Sequence, residues 1–334
     1  RLGWRPRRTI ILASWDAGEY GLVGSTEWVE ENIDWLRADS VAYVNVGAAV
    51  EGSTFRATAS PALKGLLYAA TKAVAHPHCN CSVYDTWMRD SSAAGAHRHH
   101  RRPAIHPLDP GSDTMAFATH AGVSTIDFGF TGSAGVRHSN FDSLQRVAAF
   151  VDSDMQLHLA AARIWGQITA RLADDPVLRL GPAQYAKDLK HYIRRFETQM
   201  SEQGLRLDHL RAAQRQLEVS ARIVDDSVWH LRRVYGEGCQ MTGRRRRRTC
   251  AALRASINDR LSNLERHFID PDGAPGREWH KHVLVAPDSG TVPGYQLFPA
   301  LADALDAGDM PLLREREKYI ASIVYEAAWF LRET

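Results

Sequence analysis

The segment Trp15-Asp16-Ala17-Gly18-Glu19-Tyr20-Gly21 (WDAGEYG) follows a short apolar run near the start of the chain. Metal-assisted hydrolysis needs side chains that hold the metal and a carboxylate that takes a proton from the bound water. A loop with two neighbouring carboxylates could serve both needs, but here Glu19 stands beside Gly18. The pattern raises the possibility of hydrolytic chemistry from which one acid is missing.

A second group of ligand-type residues is His76-Pro77-His78-Cys79-Asn80-Cys81, which His97, His99 and His100 follow. Structural zinc sites use four ligands at recognisable short spacings. This group shows no such spacing. We therefore favour an irregular surface loop and keep a metal site as the alternative.

Two basic clusters could bind a polyanion. Arg98, Arg101 and Arg102 lie among the histidines, and Arg244 to Arg248 form an uninterrupted run. Such runs can bind nucleic acid, heparin-like polymers or an import receptor. No aromatic residues interleave with them, and the formal net charge of the chain is only +2. We interpret both clusters as solvated loops and expect no nucleic-acid partner.

Length and composition indicate a globular protein with one large core or two domains, because 44% of the 334 residues are hydrophobic and 24% are charged. Four cysteines are too few for a disulfide scaffold, although Cys239 and Cys250 could pair in an oxidising setting. No apolar run approaches the roughly 20 residues that span a bilayer. Since the chain begins at Arg1 and not at Met, we expect a fragment or a processed chain.

The first half of the chain has an α/β pattern. Thr9–Trp15 and Val41–Val46 are apolar and β-branched, as in buried strands, and the 32 residues between their starts suit a βαβ unit. Between them, Trp28, Asn32, Trp35 and Leu36 share one face of a predicted helix. Further predictions are helices at 61–75 and 114–120, a strand at 124–130, a long surface loop at 76–110 and a parallel sheet.

The second half has long amphipathic stretches and no strand-like runs. They predict a helical bundle. The predicted helices cover residues 143–173, 183–204, 206–234, 250–267 and 312–333.

Several segments, in order along the chain, carry a family resemblance. They are Gly3–Arg8, Gly24–Trp28, Val50–Gly52, Pro110–Asp113, Arg171–Leu178, Asn258–Arg260, Leu264–Pro271, His280–Leu284 and Phe298–Pro299. With these segments the chain resembles the glutamate carboxypeptidase II and transferrin-receptor-like family of M28 zinc metallopeptidases.

The resemblance implies a fold and a domain organisation. Residues 1–172 would be the C-terminal part of an M28-type peptidase domain, with a parallel-rich sheet of the phosphorylase/hydrolase-like kind. Residues 173–334 would be an all-α, transferrin-receptor-like dimerisation domain that forms a homodimer. We expect the first strands, an apical domain and further ligands to precede Arg1. The family suggests a secreted or membrane-anchored extracellular protein whose anchor lies outside this chain.

The resemblance also assigns site positions. Active relatives bind two zinc ions and carry two consecutive glutamates after WDA, the base and then a zinc ligand. Here these positions are Gly18 and Glu19. Another zinc-binding aspartate falls on Gly47, and the last histidine ligand is His138, preceded by Arg137 where relatives have tyrosine.

Glu19 and His138 are thus the remaining two of five ligand positions, one short of the three that hold a catalytic zinc. We predict that zinc is not bound stably. Loss of the base alone removes a factor of about 10²–10⁴ in rate. The predicted outcome is an inactive or strongly impaired peptidase that retains dimerisation or binds a peptide or protein.

Substrate-side candidates are Arg137, Ser112, Asp113 and Glu51; for the last two, a structural loop or cap role is an equal alternative. Val292-Pro293 replaces the Lys-Tyr pair of glutamate-selective relatives, so selectivity for glutamate is not expected. Two alternatives stay open. One is an active carboxypeptidase or dipeptidase with a reorganised site, in which Glu19 or Asp113 is the base, and the other is an eroded product without selected function.

Overall fold

The fold comes from a computed structural model that describes residues 3–93, 102–132, 136–199, 204–236, 239, 243–288 and 294–332. Its first half alternates helices and short strands around a small sheet. The elements are α1 (Val23–Glu31), α2 (Ile33–Asp39), β1 (Tyr43–Asn45), β2 (Thr54–Ala59), α3 (Lys64–Ala73), α4 (Val83–Ala93), a π-helical turn (Ala116–Ala121) and β3 (Thr125–Thr131).

The three strands form one sheet in the order β1-β3-β2. β1 runs parallel to β3, with Val44 opposite Ile126, whereas β2 runs antiparallel to β3, with Ala57 opposite Phe128. The predicted parallel sheet is therefore right for one pair and wrong for the other. Ile126, Phe128 and Phe130 are buried on one face of the central strand.

The second half consists mainly of long helices. The short α5 (Leu144–Arg146) precedes the long helices α6 (Gln156–Asp174), α7 (Pro182–Gln199), α8 (Asp208–His230) and α9 (Arg244–Asn263). The hairpin strands β4 (Val285–Pro287) and β5 (Tyr295–Leu297) follow, and then α10 (Pro299–Asp306) and α11 (Met310–Phe330). The hairpin contradicts the prediction that this half lacks strands. It was missed because its strands are too short to show a sequence period.

One apolar core joins the two halves. It runs without interruption from Phe55 and Phe130 in the sheet, through Ile164 on α6 and Leu189 on α7, to Val324 on α11. A smaller cluster packs α1 and α2 against the π-helical turn, and there the rings of Trp28 and Trp35 meet edge to face. The single helix predicted over these residues is divided at Asn32, so the two indoles lie on consecutive helices. The α/β class and the helical C-terminal region are confirmed.

The predicted strand at Thr9–Trp15 is wrong. The segment has no strand pairing, and Leu12 is 84% exposed. Backbone and side-chain hydrogen bonds from Arg8 to carbonyl oxygens of Leu172, Ala173 and Asp175 hold its start beside the end of α6. An apolar run predicts burial only where a neighbouring strand pairs with it, and no described strand does so.

Three further predictions need correction. Part of the predicted loop at 76–110 is α4, because Val83 and Trp87, four residues apart, pack one helical face into the core. The predicted helix at 143–173 is interrupted at Asp152, whose carboxylate accepts hydrogen bonds from the backbone N–H groups of Leu157 and His158 and caps α6. The run Arg244–Arg248 was interpreted from the sequence as a solvated loop, but it is helical and begins α9.

All four cysteines are paired, Cys79 with Cys81 and Cys239 with Cys250. The second pair is the one that the sequence suggested. Among the described residues, no helix combines the length and the apolar character that a bilayer span requires.

Candidate active site

The loop with Glu19 connects the extended segment Thr9–Trp15 to α1. Gly18–Tyr20 form a single 3₁₀ turn that begins after Ala17, whose φ is 55°. Gly24 is required at the start of α1, since a Cβ there would collide with the carbonyl oxygen of Asp16. The turn leaves the Glu19 side chain 65% exposed.

Glu19 belongs to a charged cluster of four side chains, which are Glu19, Glu51, Arg137 and His138. Nε2 of His138 lies 2.8 Å from Oε2 of Glu19. The Arg137 guanidinium is 3.9 Å from Glu19 Oε1 and 3.7 Å from Glu51 Oε1. The structure thus brings together four of the residues that the sequence singled out, around the end of the sheet where Glu51 and β3 pair.

The backbone of His138 is in the left-handed region, with φ of 65°. A non-glycine residue there costs of the order of 1 kcal/mol, and such residues cluster at functional sites. A turn closed by the Ser139 N–H and the Val136 carbonyl oxygen (3.0 Å) holds this conformation. It places the imidazole directly on Glu19.

A second group, the buried polar network, lies where β1 ends beside β3 and consists of Asn45, Gly47, Ser112 and Asp127. Ser112 Oγ donates to Asp127 Oδ2 at 2.5 Å, and Asn45 Nδ2 donates to the same oxygen at 3.2 Å. Burial raises the pKa of the Asp127 carboxyl, although hydrogen bonds from Ser112, Asn45 and the Gly47 backbone oppose the shift. The network holds a carboxylate away from water.

The two glycines differ in their surroundings. A Cβ on Gly18 would meet no atom within 4 Å, so a longer side chain would fit there. A Cβ on Gly47 would lie 3.1 Å from Asn45 Nδ2 and 3.9 Å from Asp127 Oδ2. The Asn45 amide would therefore have to give way by a few tenths of an ångström for a side chain at Gly47, whereas the distance to Asp127 is an ordinary contact.

Asp113 is engaged in packing. Its Oδ1 accepts a hydrogen bond of 2.7 Å from Ser25 Oγ on α1. That contact favours the structural alternative for Asp113, whereas Glu51 faces Arg137 in the charged cluster. Val292 and Pro293, like His97, His99 and His100, lie outside the described residues.

Asp127 and Asn45 were not singled out from the sequence. The available signal was a single acid in the apolar strand Thr125–Thr131, where an ionised side chain needs partners. Hydrogen bonds link Asn45 Oδ1 to Tyr43 and Tyr43 in turn to Trp15 Nε1 (2.8 and 2.9 Å). These contacts extend the network to Trp15, at the start of the loop that holds Glu19.

The donor set offered by the described residues does not fit a zinc site. In the charged cluster, the side chains of metal-binding type are Glu19, His138 and Glu51, and Glu51 faces Arg137. Across the described ranges, no three His, Cys, Asp or Glu side chains are grouped so that they could hold a metal ion. A guanidinium at 3.9 Å from Glu19 also competes with a dication for that carboxylate.

The segment His76–Cys81 likewise offers few metal donors. The disulfide uses both thiols, and His76 Nδ1 accepts a hydrogen bond of 3.2 Å from the backbone N–H of His78. Burial lowers the pKa of His76. The described part of this group matches the loop interpretation better than the metal site.

A small α/β sheet joined to a helical bundle, with a Glu–His pair in two loops beside the sheet, places the chain among mixed α/β proteins with a helical C-terminal region. Residues 1–162 match the model of peptidase family M28, and residues 205–332 match the transferrin receptor-like dimerisation domain. The chain therefore belongs to the M28 peptidase family and carries this dimerisation domain. The boundary predicted at residues 172/173 stays a prediction.

Three curated relatives illustrate the range of names in this family. The probable glutamate carboxypeptidase LAMP1 of Arabidopsis thaliana is 35% identical over 309 residues, covering 91% of this chain and 41% of that protein. Aminopeptidase NAALADL1 of Mus musculus is 31% identical over 315 residues (90% and 40%). A protein named inactive zinc metalloprotease in Schizosaccharomyces pombe is 26% identical over 326 residues (96% and 38%). The chain spans about two fifths of the length of these relatives.

Proposed function

We propose that this chain is an M28-family protein whose zinc-dependent release of C-terminal residues from peptides is lost or strongly impaired, and which acts through dimerisation and partner binding. The observation that carries the proposal is the geometry at Gly47. The position has no donor atom, and a Cβ there would already lie 3.1 Å from Asn45 Nδ2.

The charged cluster supports the proposal from the other side. Arg137 supplies positive charge beside Glu19, and the His138 imidazole contacts the other carboxylate oxygen of Glu19. Gly18 leaves open space where a general base would stand. Without that base a hydrolase loses about 10²–10⁴ in rate, and Gly47 has no ligand atom to offer a zinc ion that would hold the reacting water.

Homodimerisation is the capacity that we propose remains. Large apolar side chains are exposed along α8 and α11, including Trp229 (60% exposed), Tyr325 (43%) and Trp329 (62%). Exposed apolar patches mark protein contacts. We expect Trp329→Ser to shift the chain from dimer to monomer in sedimentation velocity, while Trp165→Ser on α6 leaves the dimer intact.

The test of lost hydrolysis measures zinc content and peptide release on the same sample. Purified protein, supplied with zinc, is assayed with acidic and neutral dipeptides and analysed for metal. We expect less than 0.1 zinc per chain, a level of the order that weak adventitious binding gives, and no release above background. Gly18→Glu, with Gly18→Gln as its uncharged control, should leave both results unchanged.

Stoichiometric zinc together with peptide release that Glu19→Gln abolishes would contradict the proposal. It would favour the alternative, an active carboxypeptidase or dipeptidase with a reorganised site. Zinc without release would mean that only the base has been lost.

We also propose that the protein works in an oxidising, extracellular-type compartment. The two disulfides support this, since such bonds persist outside the reducing cytosol. Mass spectrometry of protein isolated from its natural source, with free thiols blocked first, should recover both disulfide-linked peptides. Blocked, unpaired cysteines would contradict it.

A further inference from the structure

The arginine patch at the start of α9 is a strongly charged surface of the described chain. We define it as Arg244–Arg248 with Arg232 and Arg233, which lie in the π-helical turn that ends α8 and packs against α9. All seven side chains are exposed. The Cys239–Cys250 disulfide ties the intervening loop to the second turn of α9 and fixes the patch in place.

Charge is segregated into this region. Residues 231–255 contain eight arginines and one acid, Glu237, so their formal net charge is +7, while the whole chain has +2. The remainder of the chain therefore carries −5. The patch attracts anions although the protein as a whole is almost neutral.

The run Arg244–Arg248 costs stability where it stands. Arg244 repels Arg247 and Arg248, three and four residues on, along the same helical face. Cations at the first turn also oppose the helix dipole. None of these five guanidiniums forms an ion pair with a described residue. Nothing in the described chain offsets that repulsion, whereas a bound polyanion would.

The chemistry of arginine narrows the partner. Guanidinium groups bind sulfate and phosphate oxygens in a planar, bidentate way. Nucleic acids and sulfated polysaccharides both present such groups, and the choice between them rests on the oxidising compartment proposed above from the two disulfides. Sulfated polysaccharides are the polyanions of that environment. We propose that the arginine patch binds a sulfated polysaccharide chain.

The experiment measures binding of the full chain to a heparin dodecasaccharide at several salt concentrations. The test variant is Arg246→Gln/Arg247→Gln/Arg248→Gln. The matched control is Arg163→Gln/Arg194→Gln/Arg215→Gln, which removes the same charge from three exposed arginines on α6, α7 and α8. Thermal unfolding should show that both variants fold, with no loss of stability in the test variant.

We expect the test variant to bind at least about tenfold more weakly and its slope of log K against log salt to fall by about two to three, since each lost contact releases about one counter-ion fewer. The control should stay within about twofold of the wild type. Equal losses in both variants would mean that only net charge matters and would overturn the proposal. So would equal binding of desulfated heparin, or tighter binding of single-stranded RNA or of vesicles with phosphatidylserine.

Discussion

The imidazole of His138 contacts Glu19 directly, with 2.8 Å between Nε2 and Oε2. In a metal centre, two such ligands would point at a common ion and not at each other. Here the second carboxylate oxygen faces Arg137, and Arg137 also reaches Glu51. The carboxylates of Glu19 and Glu51 thus share Arg137 as a cationic partner.

We expect this pair to contribute little to stability because both side chains are more than half exposed. A double-mutant cycle with Glu19→Gln and His138→Ala should give a coupling of about 0–1 kcal/mol in urea unfolding. EDTA should not change the wild-type midpoint. A clear drop with EDTA that Glu19→Gln removes would show that a metal holds the pair.

Replacing Gly47 tests the buried polar network. Gly47→Asp would put a second carboxylate close to Asp127, whose pKa is already raised by burial. The folded state then favours protons on this pair, so stability present at low pH is lost as pH rises through the raised pKa. We expect the thermal midpoint of Gly47→Asp to fall as pH increases from about 4 to 8.

Gly47→Asn is the matched control, because it has the same size without the charge. It meets the same close contact with the Asn45 amide, and it should be destabilised equally at all pH values in that range. Identical pH profiles for the two variants would show that Asp127 is not the group involved.

Glu265 links the sheet to the helical half. Its carboxylate accepts hydrogen bonds from Ser124 Oγ (3.1 Å) and Tyr185 OH (3.2 Å), and His282 Nε2 is 3.3 Å away. All these groups are buried. Glu265→Ala would leave three buried polar groups without their partner and should cost about 3–5 kcal/mol in urea unfolding.

Glu265→Gln keeps the shape and one acceptor oxygen, so its cost should be clearly smaller. The ordering Ala worse than Gln is the informative result. If both variants unfold at the wild-type midpoint, the network contributes no stability.

His280 should make the protein sensitive to acid. Burial, followed by the nearby Arg277 and His120, lowers its pKa to about 4. Because the unfolded imidazole titrates near 6.5, the stability that neutral His280 supplies is complete above that pH and is lost as pH falls towards 4. Thermal midpoints of His280→Gln should decline less than those of the wild type between pH 6.5 and 4.

The comparison needs both proteins across the whole pH range, since His76, His120 and His267 also have pKa values lowered by burial and act in the same direction in each. Parallel curves for wild type and variant would assign the acid sensitivity to those other histidines.

Local patterns predicted the elements that are strongly periodic and those whose partners are near in sequence. Trp28 and Trp35 indicated helical structure before β1, and the long periodic stretches gave α6 to α8 and α11. β2 was missed because its alternating Phe55, Ala57 and Ala59 are short and mixed with polar residues. Thr9–Trp15 misled because strand pairing depends on neighbours that a local pattern does not contain.

The candidate site, too, was predicted from the sequence only in part. Family motifs identified Glu19, Gly47, Arg137 and His138, and the structure places three of these in one cluster. Their contacts with each other could not be predicted, since a motif gives positions and not side-chain directions. Asp127 could be assigned to the site only once the register of β1 and β3 placed it opposite Asn45.

The unbroken apolar core has a consequence for how the molecule comes apart. The apolar core runs unbroken from the strands to the bundle, and we expect heat or denaturant to unfold both as a single cooperative unit. A cavity made at Val324, deep in the last helix, should therefore raise proteolytic cleavage of the distant turn that holds Glu19.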